Sequence, residues 1–219
     1  MLEEIFYRTC IGCGFRSENG MPVCSDCLET LEEYPHECES CGYPSNVPAK
    51  VCGMCRFAVY RDRIKIAYKY KGPLRQLIKQ IKFAYRITGI DVLKEMVNAE
   101  DLAGYDIITD VPSHFSRKVR RLTHPAEHIA KQISHLTNIK YIKILTRTRR
   151  TEYQYKLKKR QRAVNVKNAF ICPVNVRGLK ILLVDDIITT GSTTEECSRI
   201  LKMSGASRVD VYALASGKA

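Results

Sequence analysis

Lys180 to Thr193 reads KILLVDDIITTGST, and the order of residue types in it decides how the chain folds. Ile181 to Val184 is a short, fully apolar run, the pattern of a strand buried on both faces of a parallel sheet. Two acids, Asp185 and Asp186, follow at once. Ile187 and Ile188 come next, then Thr189, Thr190, Gly191, Ser192 and Thr193. Cys197, Ile200 and Leu201 then fall at helical spacing, and Ser192 with Glu195 has the spacing of a capping box, which predicts a helix starting at Ser192. A strand, a loop of hydroxyls and glycine, and a helix N-terminus together make an anion site. Amide N–H groups, hydroxyls and the helix dipole converge there on one spot. The acids face the same crevice outside the carboxyl end of the strand, where they accept hydrogen bonds from sugar hydroxyls or order a hydrated Mg2+.

The rest of the C-terminal half continues this alternation. Asp106 to Val111 reads as a strand ending at Pro112-Ser113-His114, and Ile129, Ala130, Ile133 and Leu136 mark a helix entered near Pro125. Tyr141 to Leu145 reads as the next strand, and a last one lies near Val209–Ala213. Strands alternating with helices give an α/β fold with a parallel, doubly wound sheet. Upstream, Ile64, Ile66, Tyr68 and Tyr70 alternate with Lys65 and Lys69 as in a strand with one wet face. After Gly72-Pro73, two helical stripes follow: Leu74, Leu77, Ile78 and Ile81, then Val92, Leu93, Met96 and Val97. The expected organisation is a small module over 1–56, a connector and hood over 57–100, and the α/β core over 101–219.

The first module is defined by cysteines at 10, 13, 24, 27, 38, 41, 52 and 55. Each pair is C-x2-C, and each such turn presents two thiolates to one metal, so two turns complete a tetrahedral four-sulfur site. Cys10-Ile-Gly-Cys13-Gly14 and Cys38-Glu-Ser-Cys41-Gly42 repeat at an offset of 28, as do Val23-Cys24 and Val51-Cys52. The duplication favours two zinc ribbons in series, Cys10/Cys13/Cys24/Cys27 and Cys38/Cys41/Cys52/Cys55, with cross-braced pairing as the alternative. Gly14 and Gly42 follow the second thiolate of their turns, where positive φ eases N–H contact with sulfur. Eight cysteines close both sites, so these zincs are structural. Cys197 falls on the apolar face of its helix as a core residue.

Charge separates the parts further. The formal net charge is +13, and Phe115 to Ala163 holds 15 Lys and Arg against only Glu127 and Glu152. The whole excess lies in that stretch, which points to a polyanionic partner. Residues 1–55 carry nine acids against three basic residues, and two tetrathiolate zinc sites add further negative charge. That balance opposes phosphate binding by the ribbons. It leaves them as a docking surface for the basic domain or a protein partner, or as a structural cap. Phe83 and Tyr85 lie among Lys79, Lys82 and Arg86, a pattern that suits either stacking on a single strand or an amphipathic helix end. No apolar run is long enough to span a membrane, and the acidic N-terminus has no basic signal-peptide region. With ten cysteines, these features point to the reducing cytoplasm.

Ile181 to Thr193 resembles the phosphoribosyl pyrophosphate signature of type I phosphoribosyltransferases. The resemblance implies that Asp185 and Asp186 contact the ribose hydroxyls and Mg2+, and that Thr189, Thr190, Gly191, Ser192 and Thr193 wrap the 5′-phosphate. The order of parts along nearly the whole chain is similar to the ComF family of DNA-uptake proteins. Those proteins join a double zinc ribbon, with four cysteines to each metal, to a parallel-sheet, type I phosphoribosyltransferase-like domain. Val111-Pro112 and the following Ser113, Arg120 and Arg121 resemble that family's pyrophosphate loop. Arg147 to Phe170 resembles its flap, with Arg150, Thr151, Gln154, Leu157, Arg162, Asn165 and Phe170 at the family spacing. Arg149, Arg150 and Gln154 thereby become pyrophosphate candidates. The chain departs from the family at Arg121-Leu-Thr-His124-Pro125, where members have Arg-Gly-Phe-Asn-Gln.

Two functions follow from the resemblance. The first is an accessory protein of DNA uptake that binds phosphoribosyl pyrophosphate and single-stranded DNA, with a helicase-like ATPase as partner. Its DNA footprint would be Arg117, Lys118, Arg120, Arg121, Lys156, Lys158, Lys159, Arg160 and Arg162. The second is an active phosphoribosyltransferase that passes the phosphoribosyl group to an acceptor and releases pyrophosphate. An amidotransferase is disfavoured, because Met1-Leu2 offers no N-terminal cysteine.

Overall fold

The protein is described here by a computed structural model that covers residues 9–17, 21–83, 92–112, 124–149 and 165–217. Helix α1 (Ser25–Glu29) and the antiparallel pair β1 (His36–Glu37) and β2 (Pro44–Ser45) come first in the chain, and the centre is a four-stranded, all-parallel sheet of β3 (Arg63–Lys69), β4 (Ile107–Asp110), β7 (Lys180–Ile188) and β8 (Arg208–Ser216), in the order β3-β8-β7-β4. The strand expected over Ile181–Val184 runs on through both acids, because β8 keeps pairing with it as far as Ile188↔Ser216. Ile181 to Val184 are each at most 1% exposed. Alternation along β7 sends Ile181 and Leu183 to one face of the sheet and Leu182 and Val184 to the other.

Each face is covered by helix and by one cysteine cluster. Helix α5 (Ser192–Met203) packs Cys197 and Leu201 against Ile181, Leu183 and Val211, together with Cys38, Cys41 and Met54. On the other face lie α2 (Gly72–Phe83), the short α3 (Leu93–Met96) and α4 (Pro125–Thr137), with Cys10 and Cys27 in the same apolar cluster. Ile129, Ala130 and Ile133 of α4 are buried at the spacing its sequence showed. Truncating a fully buried aliphatic such as Leu182 to alanine would cost about 2–5 kcal/mol.

The strand expected over Tyr141–Leu145 is not a ladder. Tyr141 makes a single parallel bridge to Ile108, and the Ile144 amide then donates to the Thr109 hydroxyl at 3.5 Å instead of to a backbone carbonyl. The chain turns away into β5 (Thr146–Arg147), which pairs antiparallel with β6 (Phe170–Ile171). The capping box is also absent. Gly191, at φ +74°, is the N-cap of α5, and the Glu195 carboxylate is used elsewhere.

Residues 56–63 form a strap rather than a loose link. Val59 and Tyr60 N–H and Arg61 Nη1 donate to Glu195 on α5, at 2.7, 2.8 and 2.9 Å. Asp62 accepts from Val209 N–H and Lys202, and Arg63 N–H donates to the buried Asp210. Strand β3, placed in the connector by sequence, is thereby an edge strand of the central sheet, paired in parallel with β8.

Helix α4 is fixed at its start by Glu127, which pairs with Lys143 at 2.6 Å and Lys131 at 2.9 Å. Burial opposes its ionisation, but the two ammonium groups outweigh burial and bring its pKa down to about 2. A carboxylate depressed in the folded state stabilises above its unfolded pKa and loses that stabilisation as pH falls. Unfolding measured between pH 5 and 2 should therefore show a loss of up to about 2 kcal/mol that the Glu127→Gln variant lacks, the lysines being half exposed and screened.

Candidate functional site

The parallel strands β4, β7 and β8 end on one edge of the sheet, where the residues of the signature stretch collect. Asp185 and Asp186 are both half-buried at the end of β7. The Asp186 amide donates to the Asp185 carboxylate and the Ile187 amide to the Asp186 carboxylate, each at 2.8 Å. Strand alternation sends the two side chains to opposite faces. Asp185 lies beside Cys197 of α5, whose thiol is raised first by burial and then by that carboxylate. Asp186 acts on His124 at the start of α4. Cys197 is fully buried, as its position on the helix stripe implied.

The loop after β7 is held at both ends. Gly217 N–H donates to the Ile188 carbonyl at 2.8 Å, and a Cβ on Gly217 would lie 2.8 Å from Thr189 Cγ2. Thr190 and Ser192 hydroxyls are 3.0 Å apart, and the Thr194 hydroxyl and Glu195 amide both donate to the Gly191 carbonyl. Thr189, Thr190, Gly191, Ser192 and Thr193 thus form a tight turn leading into a twelve-residue helix, so its first amides and the positive end of its dipole lie at this turn.

Across from this loop, Asp110 is 1% exposed at the end of β4. Its Oδ1 accepts from Tyr141 at 2.7 Å, while Oδ2 has no hydrogen-bond partner among the described residues and lies 3.7 Å from His124 Nδ1. Burial lowers the His124 pKa against the pull of Asp110, which favours the neutral imidazole. Asp110, His124 and Glu127 bring ligand atoms within 4.8 Å of one another. Lys131 and Lys143 already occupy Glu127, which weighs against a cation there. The departure at His124-Pro125 has a structural reason: Pro125 sits in the first turn of α4, where its missing N–H costs nothing, and His124 ends as the N-cap. Tyr141 and Asp110 were not singled out in the sequence; an acid at the carboxyl end of a core strand was the available signal.

Pro112 is buried directly after β4, whereas Ser113 and the basic residues Arg117, Lys118, Arg120 and Arg121 lie outside the described residues. So do Arg150, Gln154, Lys156, Lys158, Lys159, Arg160, Arg162 and Tyr85. Arg149 is described, and it donates to the carbonyls of Asn165 and Lys167 at 3.1 and 3.0 Å. With the β5–β6 pairing, it joins the two ends of the 150–164 segment. A separate cavity of about 410 Å3 lies between β3 and the 33–37 linker. Its rim carries Glu33, Glu37, Glu95 and Asp101, an acidic lining that repels phosphate.

The cysteines form the two serial clusters, Cys10/Cys13/Cys24/Cys27 and Cys38/Cys41/Cys52/Cys55, each with its sulfurs within 4.8 Å of one another. Sulfur separations are 3.8 Å for Cys13–Cys24 and Cys52–Cys55, and 3.6 Å for Cys38–Cys55 and Cys41–Cys52. A tetrahedron with Zn–S bonds of about 2.3 Å requires about 3.8 Å, so both clusters fit structural zinc. Burial opposes ionisation of Cys10 and Cys38. Amide donors, joined at Cys10 by the Cys24 thiol and at Cys38 by the Cys55 thiol, outweigh it and hold both thiols down to about 6. Gly14 and Gly42 have φ of +79° and +74°, as the turns require.

Residues 99–219 match the family model described as the phosphoribosyl transferase domain. The chain is 31% identical over 202 residues to DNA utilization protein YhgH of Salmonella typhi, covering 88% of this chain and 89% of that protein. It is 30% identical over 229 residues to competence protein F of Haemophilus influenzae, covering 97% and 98%. Competence protein ComFC of Bacillus subtilis is 25% identical over 197 residues, covering 84% and 79%. Among solved structures, the allosteric regulatory enzyme of purine biosynthesis aligns with 63% of this chain and 30% of its own, at 23% identity and a TM-score of 0.41. Two four-cysteine clusters ahead of a phosphoribosyltransferase-type parallel sheet, with these relatives along nearly the full length, place the chain in the ComF family of competence and DNA utilization proteins.

Proposed function

We propose that this protein serves DNA uptake from the cytoplasm, as an accessory protein that binds phosphoribosyl pyrophosphate with Mg2+ and holds single-stranded DNA. The observation that carries the ligand is the β7 terminus. An acid pair there leads into a tight hydroxyl loop at the N-terminus of a twelve-residue helix. In this reading, Asp185 and Asp186 accept from the ribose hydroxyls, and Mg2+ offsets the pyrophosphate charge. Residues 189–193 take the 5′-phosphate. The relatives named for competence and DNA utilization support the uptake role. The excess of basic residues between 115 and 163 supports the DNA surface. Two zincs hold the acidic ribbons, which are the candidate dock for a helicase-like ATPase.

An active phosphoribosyltransferase is the second reading. Its supporting observation is His124, an imidazole kept neutral by burial and lying within electrostatic reach of Asp186.

Calorimetry with phosphoribosyl pyrophosphate and Mg2+ tests the site. Asp185→Asn and Asp186→Asn should each weaken binding roughly tenfold to a hundredfold, the worth of a charge-assisted hydrogen bond. Unchanged affinity in both would remove the assignment, and pyrophosphate appearing in the wild-type mixture would favour turnover. Elemental analysis should give two zincs per chain; one or none would contradict the ribbon assignment. Reversing Arg150, Lys158, Lys159 and Arg162 should weaken binding of a labelled single strand and flatten its log–log salt slope by up to about 3. Arg149 is left in place because it closes the base of that segment. An unaltered slope would move the footprint elsewhere.

A further inference from the structure

Arg61 is the most deeply buried basic residue of the described chain, at 4% exposed, with its side chain at 1%. Only Nη1 is engaged, by Glu195; Nε and Nη2 are buried with no hydrogen-bond partner among the described residues. A guanidinium is costly to bury with donors unsatisfied, so its position needs a reason. That position is against the phosphate loop. A Cβ on Gly191 would lie 3.4 Å from Arg61 Nη1 and 3.5 Å from Met54 Cε. Met54 stands inside the Cys52–Cys55 metal-binding turn and is itself 5% exposed. The second cysteine cluster therefore touches the loop in two ways. Met54 packs on Gly191 directly. Through the strap, Arg61 and the Val59 and Tyr60 amides grip Glu195 in the first turn of the helix that the loop opens. The first cluster has a different neighbour: Cys27 Sγ and Pro73 Cβ lie 2.7 and 2.9 Å from a Cβ built on Gly12, on the opposite face of the sheet.

From this placement we infer that Arg61 is a positioning residue of the phosphate loop, and that metal in the Cys38/Cys41/Cys52/Cys55 cluster sets the loop's affinity for a phosphorylated sugar. The inference rests on the phosphate-binding reading of residues 189–193. With the turn closed on its metal, Met54 and the strap hold Gly191 in its left-handed conformation and keep the Arg61 charge behind the loop. An anion in the loop offsets that charge, which the single carboxylate of Glu195 shares with two amides. Losing the metal frees the turn and relaxes the loop. Ligand binding thereby becomes sensitive to zinc occupancy of the second cluster.

The test uses full-length, zinc-loaded protein, with two readouts: calorimetry with ribose 5-phosphate and Mg2+, and amide hydrogen exchange over residues 189–193, with β8 amides as the reference for global opening. Arg61→Met, with both zincs retained, and Cys52→Ser/Cys55→Ser should each accelerate loop exchange without changing β8. Each should weaken ribose 5-phosphate about tenfold, and their combination should add little more. Arg61→Lys keeps a cation beside Glu195 and should recover part of the affinity. Cys10→Ser/Cys13→Ser should leave loop exchange as in the wild type. Additive effects, unchanged loop exchange in the second-cluster variant, or equal loosening by the first-cluster variant would each overturn the inference. Failure of ribose 5-phosphate to bind wild-type protein would defeat the phosphate reading, while hydrogen exchange would still decide whether the second cluster holds the loop.

Discussion

The parallel pairing of β7 between β4 and β8 is the constraint from which the rest of the molecule follows. Over Ile181–Val184 the strand is paired on both edges and covered on both faces, so that stretch has no exposed side. Toward its carboxyl end, beyond Val184, it pairs with β8 alone among the described residues and becomes half-buried, which leaves room there for polar groups. Asp185 and Asp186 occupy that end, and the next residues must turn sharply enough to start α5 on one face. Gly191 makes that turn possible by taking a positive φ at the N-cap. The acid pair, the hydroxyl loop and the helix N-terminus are therefore brought together by the strand-to-helix crossover.

The same alternation divides the acids between two environments. Asp185 continues the row of Ile181 and Leu183 toward α5 and the second cysteine cluster. Asp186 continues the row of Leu182 and Val184 toward α4 and His124. A pair that reads in sequence as one unit is thus connected to different halves of the molecule. A ligand bridging both acids would connect α4 with α5, and through them the two faces of the sheet.

What was legible in the sequence was what local pattern determines. The apolar run of β7, the helical stripes of α2 and α4, and the repeated C-x2-C turns depend on neighbours a few residues away, and each reappears in the structure. The misreadings came from long-range competition. Tyr141–Leu145 has strand composition, yet the Thr109 hydroxyl takes an amide that a ladder would need. Glu195 has capping-box spacing, but three donors more than 130 residues away claim its carboxylate. Arg61 sits in a connector with no periodicity, so nothing local distinguishes it from the solvated Arg56. Asp110 gave a weak signal, and only the fold brings Tyr141 and His124 to it.

The ribbons have a role that their zinc-binding pattern alone does not suggest. Strand β3 is the outer strand of the sheet beside β8, and an uncovered edge of this kind invites pairing with another chain. The ribbon module meets both ends of that strand. Ile64 N–H donates to the Cys41 carbonyl and Lys69 N–H to the Glu32 carbonyl, each at 2.8 Å. Gly42 allows the first contact, since a Cβ there would fall 2.4 Å from the Ile64 carbonyl oxygen. The glycine that lets the second thiolate turn close is thus also the one that lets the turn dock on β3. Cysteine geometry and sheet-edge protection therefore act through the same residue.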